Sequence, residues 1–209
     1  LPGVDDGVKE LDASLAILAT YGDMGFRRVW LTPHIMEDMP NEPDDLRRRF
    51  EELRAAYNGP IELRLGAENM LDNLFDERLE SRNLLAMGEN ADHLLVETSY
   101  FNPPQDLDGI LERILAAGYY PILAHPERYM YMDERDYKRL HGMGVQMQLN
   151  ITALAGAYGP VAEKKAAWLL HENLYDYSGT DIHRHRSVAH LHRPCLRGKM
   201  LDKLAQIGR

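Results

Sequence analysis

Apolar positions along this chain fall into two alternating patterns. Over 9–24, KELDASLAILATYGDM places Leu11, Leu15, Leu18 and Ala19 at helical spacing, and Gly25 stops the run. RRVWLT (27–32) is a short apolar strand closed by Pro33. A charged helix is predicted at 44–57, opened by Pro43-Asp44 and stopped at Asn58-Gly59-Pro60. The same alternation continues with strands at 61–65, 92–97, 120–124, 145–150 and 174–179, and helices near 71–80, 106–117, 133–142 and 160–172. The tail, 188–207, reads as helical with an interruption at Pro194.

Strand–helix alternation of this kind predicts an α/β fold with a mainly parallel sheet. Most of the strands are nearly continuous apolar runs, as expected where both faces are covered. No repeat, low-complexity tract or long linker divides the chain, so residues 1–209 are expected to form one domain.

The ionisable residues are placed with respect to these strands. VWLTPH ends in His34, LRLGAE in Glu68, HLLVE in Glu97, PILAH in His125, and YDYSGTDIH in Asp181 and His183. In a parallel sheet the strand C-termini lie on one face, where the active sites of such folds are found. Asp6, in the turn-rich opening LPGVDDG, is a further candidate. Taken singly, each is a helix cap, a solvated loop residue or an ordinary histidine. Together they form a carboxylate and imidazole set suited to divalent Mn, Fe or Zn, and carboxylates clustered without a cation would repel one another.

Composition narrows the chemistry. The net charge of −9 argues against non-specific nucleic-acid binding, which needs a surplus of Lys and Arg. No apolar run is long enough to span a bilayer. The single cysteine, Cys195, cannot form an intrachain disulfide, which fits a cytoplasmic location. It also lacks the arginine six residues on that a cysteine-based phosphatase needs, because Leu201 stands there. No G-x-S-x-G, P-loop or G-x-G-x-x-G motif occurs, and no Cys₄ or Cys₂His₂ spacing suggests a structural zinc.

LPGVDDG (1–7), LTPHI (31–35), GAEN (66–69), LAHPERY (123–129), QLNITALAGAYG (148–159) and GTDIH (179–183) occur in this order. They resemble the polymerase-and-histidinol-phosphatase (PHP) superfamily. Within it they look like the bacterial manganese-dependent tyrosine-protein phosphatases of capsule and exopolysaccharide operons. The resemblance implies a distorted seven-stranded, TIM-like α/β barrel binding three divalent ions, manganese first, with iron or zinc as alternatives. It implies that Glu68 bridges two metals, with Glu97 and His125 completing one of these sites. Asp181 is then a ligand of the first metal, and Asp6, His34 and His183 are ligands of the third. Arg128 of HPER matches a phosphate-binding arginine. A second such arginine is expected after D-x-H, with Arg186 chosen over Arg184.

The family also carries a strand bearing H-x-H just before LPG, and that first strand is absent from this sequence. With Leu1 opening directly in a turn, the native start is expected upstream. The implied reaction is hydrolysis of protein phosphotyrosine by a hydroxide bridging two metals, with a bacterial tyrosine kinase as the partner substrate. Nucleic acid and membrane insertion are not expected, and oligomeric state is not legible. Two alternatives stay open: a small-molecule phosphatase resembling histidinol phosphatase, and a metal-poor, non-catalytic binding module. Nearby, Asp5 is expected in a turn or beside the ligands. His185, His190 and His192 are expected toward solvent or behind the site. Tyr100, Phe101, Tyr129, Met130, Tyr131 and Met132 are expected either to rim the site or to pack its loops.

Overall fold

A computed structural model describes residues 1–192 and 199–207. Pro194 and Cys195 lie outside the described residues, as does the side chain of His192. The chain divides into two compact units, one of residues 1–95 with 182–188, the other of 96–181 with 189–209.

In the first unit, α1 (Leu11–Asp23) buries Ile17, Leu18 and Tyr21 and leaves Leu11 on the surface. It ends before Gly25, whose φ of 88° is open to glycine at little cost. The amphipathic α2 (Pro43–Ala56) starts with Pro at its first position and Asp44 and Asp45 in its first turn. It buries Leu46, Phe50 and Leu53, three positions on one helical face. Strands β1 (Arg28–Leu31) and β3 (Glu62–Leu65) pair in parallel.

Each of these strands is followed by a second, shorter one. Pro33 lacks the N–H needed to continue the ladder, and β2 (His34–Ile35) begins after it. Likewise β4 (Glu68–Met70) begins after Gly66-Ala67. β2 and β4 pair in parallel with His34 opposite Glu68 and Ile35 opposite Asn69. Gly66 is required by space, since a Cβ there would lie 2.4 Å from Cγ of Met87. A small core of Ile35, Leu46, Ala67 and Leu85 backs this pair. Helix α3 (Phe75–Glu80) follows, and the chain leaves the unit along β5 (His93–Glu97).

In the second unit, β6 (Tyr120–Ala124), β7 (Gln146–Asn150) and β8 (Tyr177–Gly179) are adjacent and parallel. The connections are α4 (Leu107–Ala116), α5 (Glu134–Gly142) and α6 (Gly159–His171), with α7 (Lys199–Leu204) at the end. Asp106 caps α4 through the N–H of Gly109. Asp133 and Asp136 form a reciprocal capping box at α5. Two 3₁₀ segments, Pro126–Arg128 and Ile151–Ala155, follow β6 and β7 here; a further one, His185–His192, begins in residues of the first unit. Among the described residues no helix is long and apolar enough to cross a membrane.

The six predicted strands are present and shorter by up to three residues at a given end. The two additional strands, β2 and β4, contain His34 and Glu68, which the sequence pattern placed in loops beyond β1 and β3.

Candidate functional site

In the first unit, the opening turn is folded onto β2 by Asp5. Its Oδ1 accepts the N–H of Gly7 at 3.0 Å and its Oδ2 the N–H of His34 at 3.2 Å. Asn41 reinforces this, donating from Nδ2 to the carbonyls of Val4 and His34. Asp6 is thereby held beside two imidazoles. Its Oδ1 lies 3.6 Å from Nε2 of His34 and 3.3 Å from Nε2 of His183. The two rings stack with centroids 5.7 Å apart. One donor atom from each residue falls within 4.8 Å of the other two.

The spacing suits a cation. Two ligands bound about 2.1 Å from one divalent ion at tetrahedral or octahedral angles stand about 3.0–3.4 Å apart, a range that the Asp6–His183 separation meets and the Asp6–His34 separation slightly exceeds. A carboxylate with two imidazoles is also a donor set that Mn, Fe or Zn accepts. His34 is buried, His183 is half-buried and Asp6 is exposed. Glu68, on the strand paired with β2, is buried as well.

In the second unit, Glu97 ends β5 and His125 follows β6. Oε2 of Glu97 and Nε2 of His125 are 3.3 Å apart, with both side chains 4% exposed. This separation falls in the same range. His125 has φ 32° and ψ 55°, a left-handed conformation uncommon outside glycine. It turns the chain directly into Pro126–Arg128, and the N–H of Arg128 bonds back to the His125 carbonyl at 2.9 Å. Asp181 is also left-handed, with φ 49°. Such backbone costs of order 1–3 kcal/mol and persists where its surroundings over-determine it.

Arg128 and Asp181 form a pair at 2.9 Å, Nη1 to Oδ2. The same carboxylate oxygen accepts from Nδ2 of Asn150 at 3.0 Å and from the hydroxyl of Tyr158 at 3.1 Å. The guanidinium carbon lies 4.2 Å from the ring centre of Tyr100 and 4.4 Å from that of Tyr158. Beneath the turn, Glu127 is fully buried. Its Oε1 accepts the N–H of Asn150 at 3.0 Å and its Oε2 the hydroxyl of Tyr175 at 2.8 Å. Burial pushes the Glu127 carboxyl up to about 7, and it pushes the Tyr175 hydroxyl up as well.

The aromatic and methionine residues divide. Tyr129 and Met132 are buried packing residues, whereas Phe101 and Met130 are exposed. Tyr100 lies on Arg128. Arg184, His185 and Arg186 are exposed in the first unit, so the choice between the two arginines is not decided by contact. The sequence reading passed over Tyr100, Asn150 and Tyr158 as partners of Arg128 and Asp181, and Glu127 beneath them. A signal was present, since Asn150 and Tyr158 belong to QLNITALAGAYG and Glu127 to HPER.

These groups define an α/β protein equipped with carboxylate–histidine sets of divalent-metal type and a partly buried arginine. Residues 1–202 match the family described as capsular polysaccharide synthesis, CpsB/CapC, and the chain belongs to that family. It is 27% identical over 199 residues to the tyrosine-protein phosphatase CpsB of Streptococcus agalactiae, covering 86% of this chain and 78% of the relative. It is 25% identical over 189 residues to the tyrosine-protein phosphatase YwqE of Bacillus subtilis, covering 88% and 74%. A crystal structure from work on YwqE of Bacillus subtilis and CpsB of Streptococcus pneumoniae, called metal-dependent tyrosine phosphatases, superposes with a TM-score of 0.84. That match covers 100% of this chain and 85% of the other at 23% identity, and it establishes a shared fold.

Proposed function

We propose that this chain is a metal-dependent protein-tyrosine phosphatase acting in capsular or exopolysaccharide synthesis, in the cytoplasm, on a phosphotyrosine protein such as a bacterial tyrosine kinase. The observation that carries this reading is the Asp6–His34–His183 group, a carboxylate oxygen within 3.6 Å of two imidazole nitrogens. Residues 1–209 act as one functional domain of the distorted seven-stranded barrel that the resemblance implies.

Asp6, His34 and His183 would hold one ion, and Glu97 and His125 would share in holding another. Glu68 and Asp181 complete the ligand set carried over from the resemblance, for three ions in all, manganese first. Bound divalent ions supply Lewis acidity, which makes water more acidic and offsets charge on phosphoryl oxygens. The chain itself supplies orientation. Arg128 presents a planar fork that can give two parallel hydrogen bonds to phosphate oxygens. Arg186, exposed in the segment after Asp181, is the proposed second phosphate ligand carried over from the resemblance. The burial of Glu97 and His125 keeps water from competing for their donor atoms.

The test is turnover of a phosphotyrosine peptide and of histidinol phosphate by the manganese-loaded protein. Peptide is expected to be the faster substrate, chelator is expected to abolish turnover, and His125→Ala is expected to lower it by at least ~100-fold. Faster turnover of histidinol phosphate would reject the substrate class. Undiminished activity in His125→Ala would reject the site assignment.

A further inference from the structure

The second unit contains a device around Arg128 that the ligand assignment does not use. The Arg128 side chain is 20% exposed, and its guanidinium makes one side-chain hydrogen bond among the described residues, Nη1 to Asp181. A guanidinium carries five N–H donors, so most of its bonding capacity is uncommitted. What holds the group is instead aromatic, since the rings of Tyr100 and Tyr158 lie 4.2 and 4.4 Å from its carbon. A cation within about 6 Å of a ring centre is attracted by the ring quadrupole, and the contact spends no N–H donor.

The edge of the group is fixed by a closed hydrogen-bond triangle. Asn150 donates from Nδ2 to the Tyr158 hydroxyl at 3.0 Å and to Asp181 Oδ2 at 3.0 Å, while Tyr158 donates to that same oxygen at 3.1 Å. Asn150 is itself locked. Its Oδ1 accepts from Thr152 N and Oγ1, and its N–H goes to the buried Glu127.

We infer that Tyr100 and Tyr158 are positioning residues for phosphate recognition: their rings hold the Arg128 guanidinium in place and leave its donors for the phosphoryl oxygens. This rests on the reading of Arg128 as the phosphate anchor. An arginine held only by carboxylates would spend donors on them and meet a phosphate with fewer. An arginine held by nothing would lose side-chain freedom on each binding event.

The test is calorimetric titration of the manganese-loaded protein with inorganic phosphate, alongside KM and kcat for an aryl phosphate. Arg128→Ala is expected to raise the phosphate Kd by at least ~10-fold. Tyr100→Leu and Tyr158→Leu are each expected to raise it by roughly 3- to 10-fold and to raise KM more than they lower kcat. Tyr100→Phe and Tyr158→Phe, which keep the ring, are expected to recover most of that loss. In the Arg128→Ala background the Leu substitutions are expected to add nothing further, a non-additivity that general loosening would not produce.

If Arg128→Ala raises the Kd and the Leu variants do not, the positioning role is overturned. It is equally overturned if the Phe variants bind phosphate as weakly as Arg128→Ala, a comparison that stands even where a Leu variant fails to fold. If Arg128→Ala leaves the Kd unchanged, the anchor reading itself fails, and the two failures are told apart.

Discussion

Asp181 combines two costs at one position, a left-handed backbone and a half-buried charge. Asp and Asn tolerate that backbone better than other non-glycine residues, because their short polar side chains bond locally. Its carboxylate is met by Arg128, Asn150 and Tyr158 on a single oxygen. Two substitutions separate these roles. Asp181→Asn keeps an acceptor and a tolerant backbone but removes the charge a cation would need. Its unfolding free energy in urea is expected to stay within about 1 kcal/mol of the parent, while metal-dependent turnover falls by ~100-fold or more. Asp181→Ala also takes away the oxygen that accepts from all three donors. It is expected to cost ~2–4 kcal/mol in the same measurement. Equal stability of the two variants would show that the three bonds to Oδ2 carry no net weight.

Among the elements, α6 controls the loop that follows Arg128. Lys165 reaches from the helix to donate to the carbonyls of Tyr129 and Met132. It does so although burial pulls its pKa down. Lys165→Met keeps the aliphatic stem and removes both bonds. Stability is expected to fall by ~1–3 kcal/mol, with faster amide hydrogen exchange confined to 130–133. The register of β2 with β4 shows how far such elements can be read from sequence. Apolar runs of four to six residues, such as YPILA, announce their strands because both faces are covered. The two- and three-residue strands β2 and β4 do not, since periodicity needs a longer window. Thus His34 and Glu68 were recognisable as candidates from their position after an apolar run, whereas their strand pairing was not. The starts of α4 and α5 were legible to within a residue, and the structure shows Asp106 and Asp133 capping them. The triangle of Asn150, Tyr158 and Asp181 was not, because it joins residues 31 positions apart and no local pattern encodes it.

For the molecule as a whole, the metal reading has a thermodynamic consequence that does not depend on activity. The chain carries 33 Asp and Glu against 24 Lys and Arg. A cation that binds the folded chain through Asp6, His34 and His183 stabilises it by mass action. The gain is ~2.7 kcal/mol when free metal stands at 100 times its Kd. For a chain of this length that corresponds to a rise in Tm of roughly 5–10 °C. General screening of the acidic surface would give a rise too, but magnesium at the same ionic strength would reproduce it. The expected pattern is therefore a manganese-induced shift well above the magnesium one, reversed by chelator. Asp6→Ala should reduce it, because Asp6 contributes the carboxylate lying between the two imidazoles. Asp6 is exposed, so its removal disturbs little packing and the variant's metal-free Tm should stay near that of the parent. Calorimetric scans with each ion decide the matter. A manganese shift equal to the magnesium one, or one untouched by Asp6→Ala, would remove Asp6, His34 and His183 as a metal site.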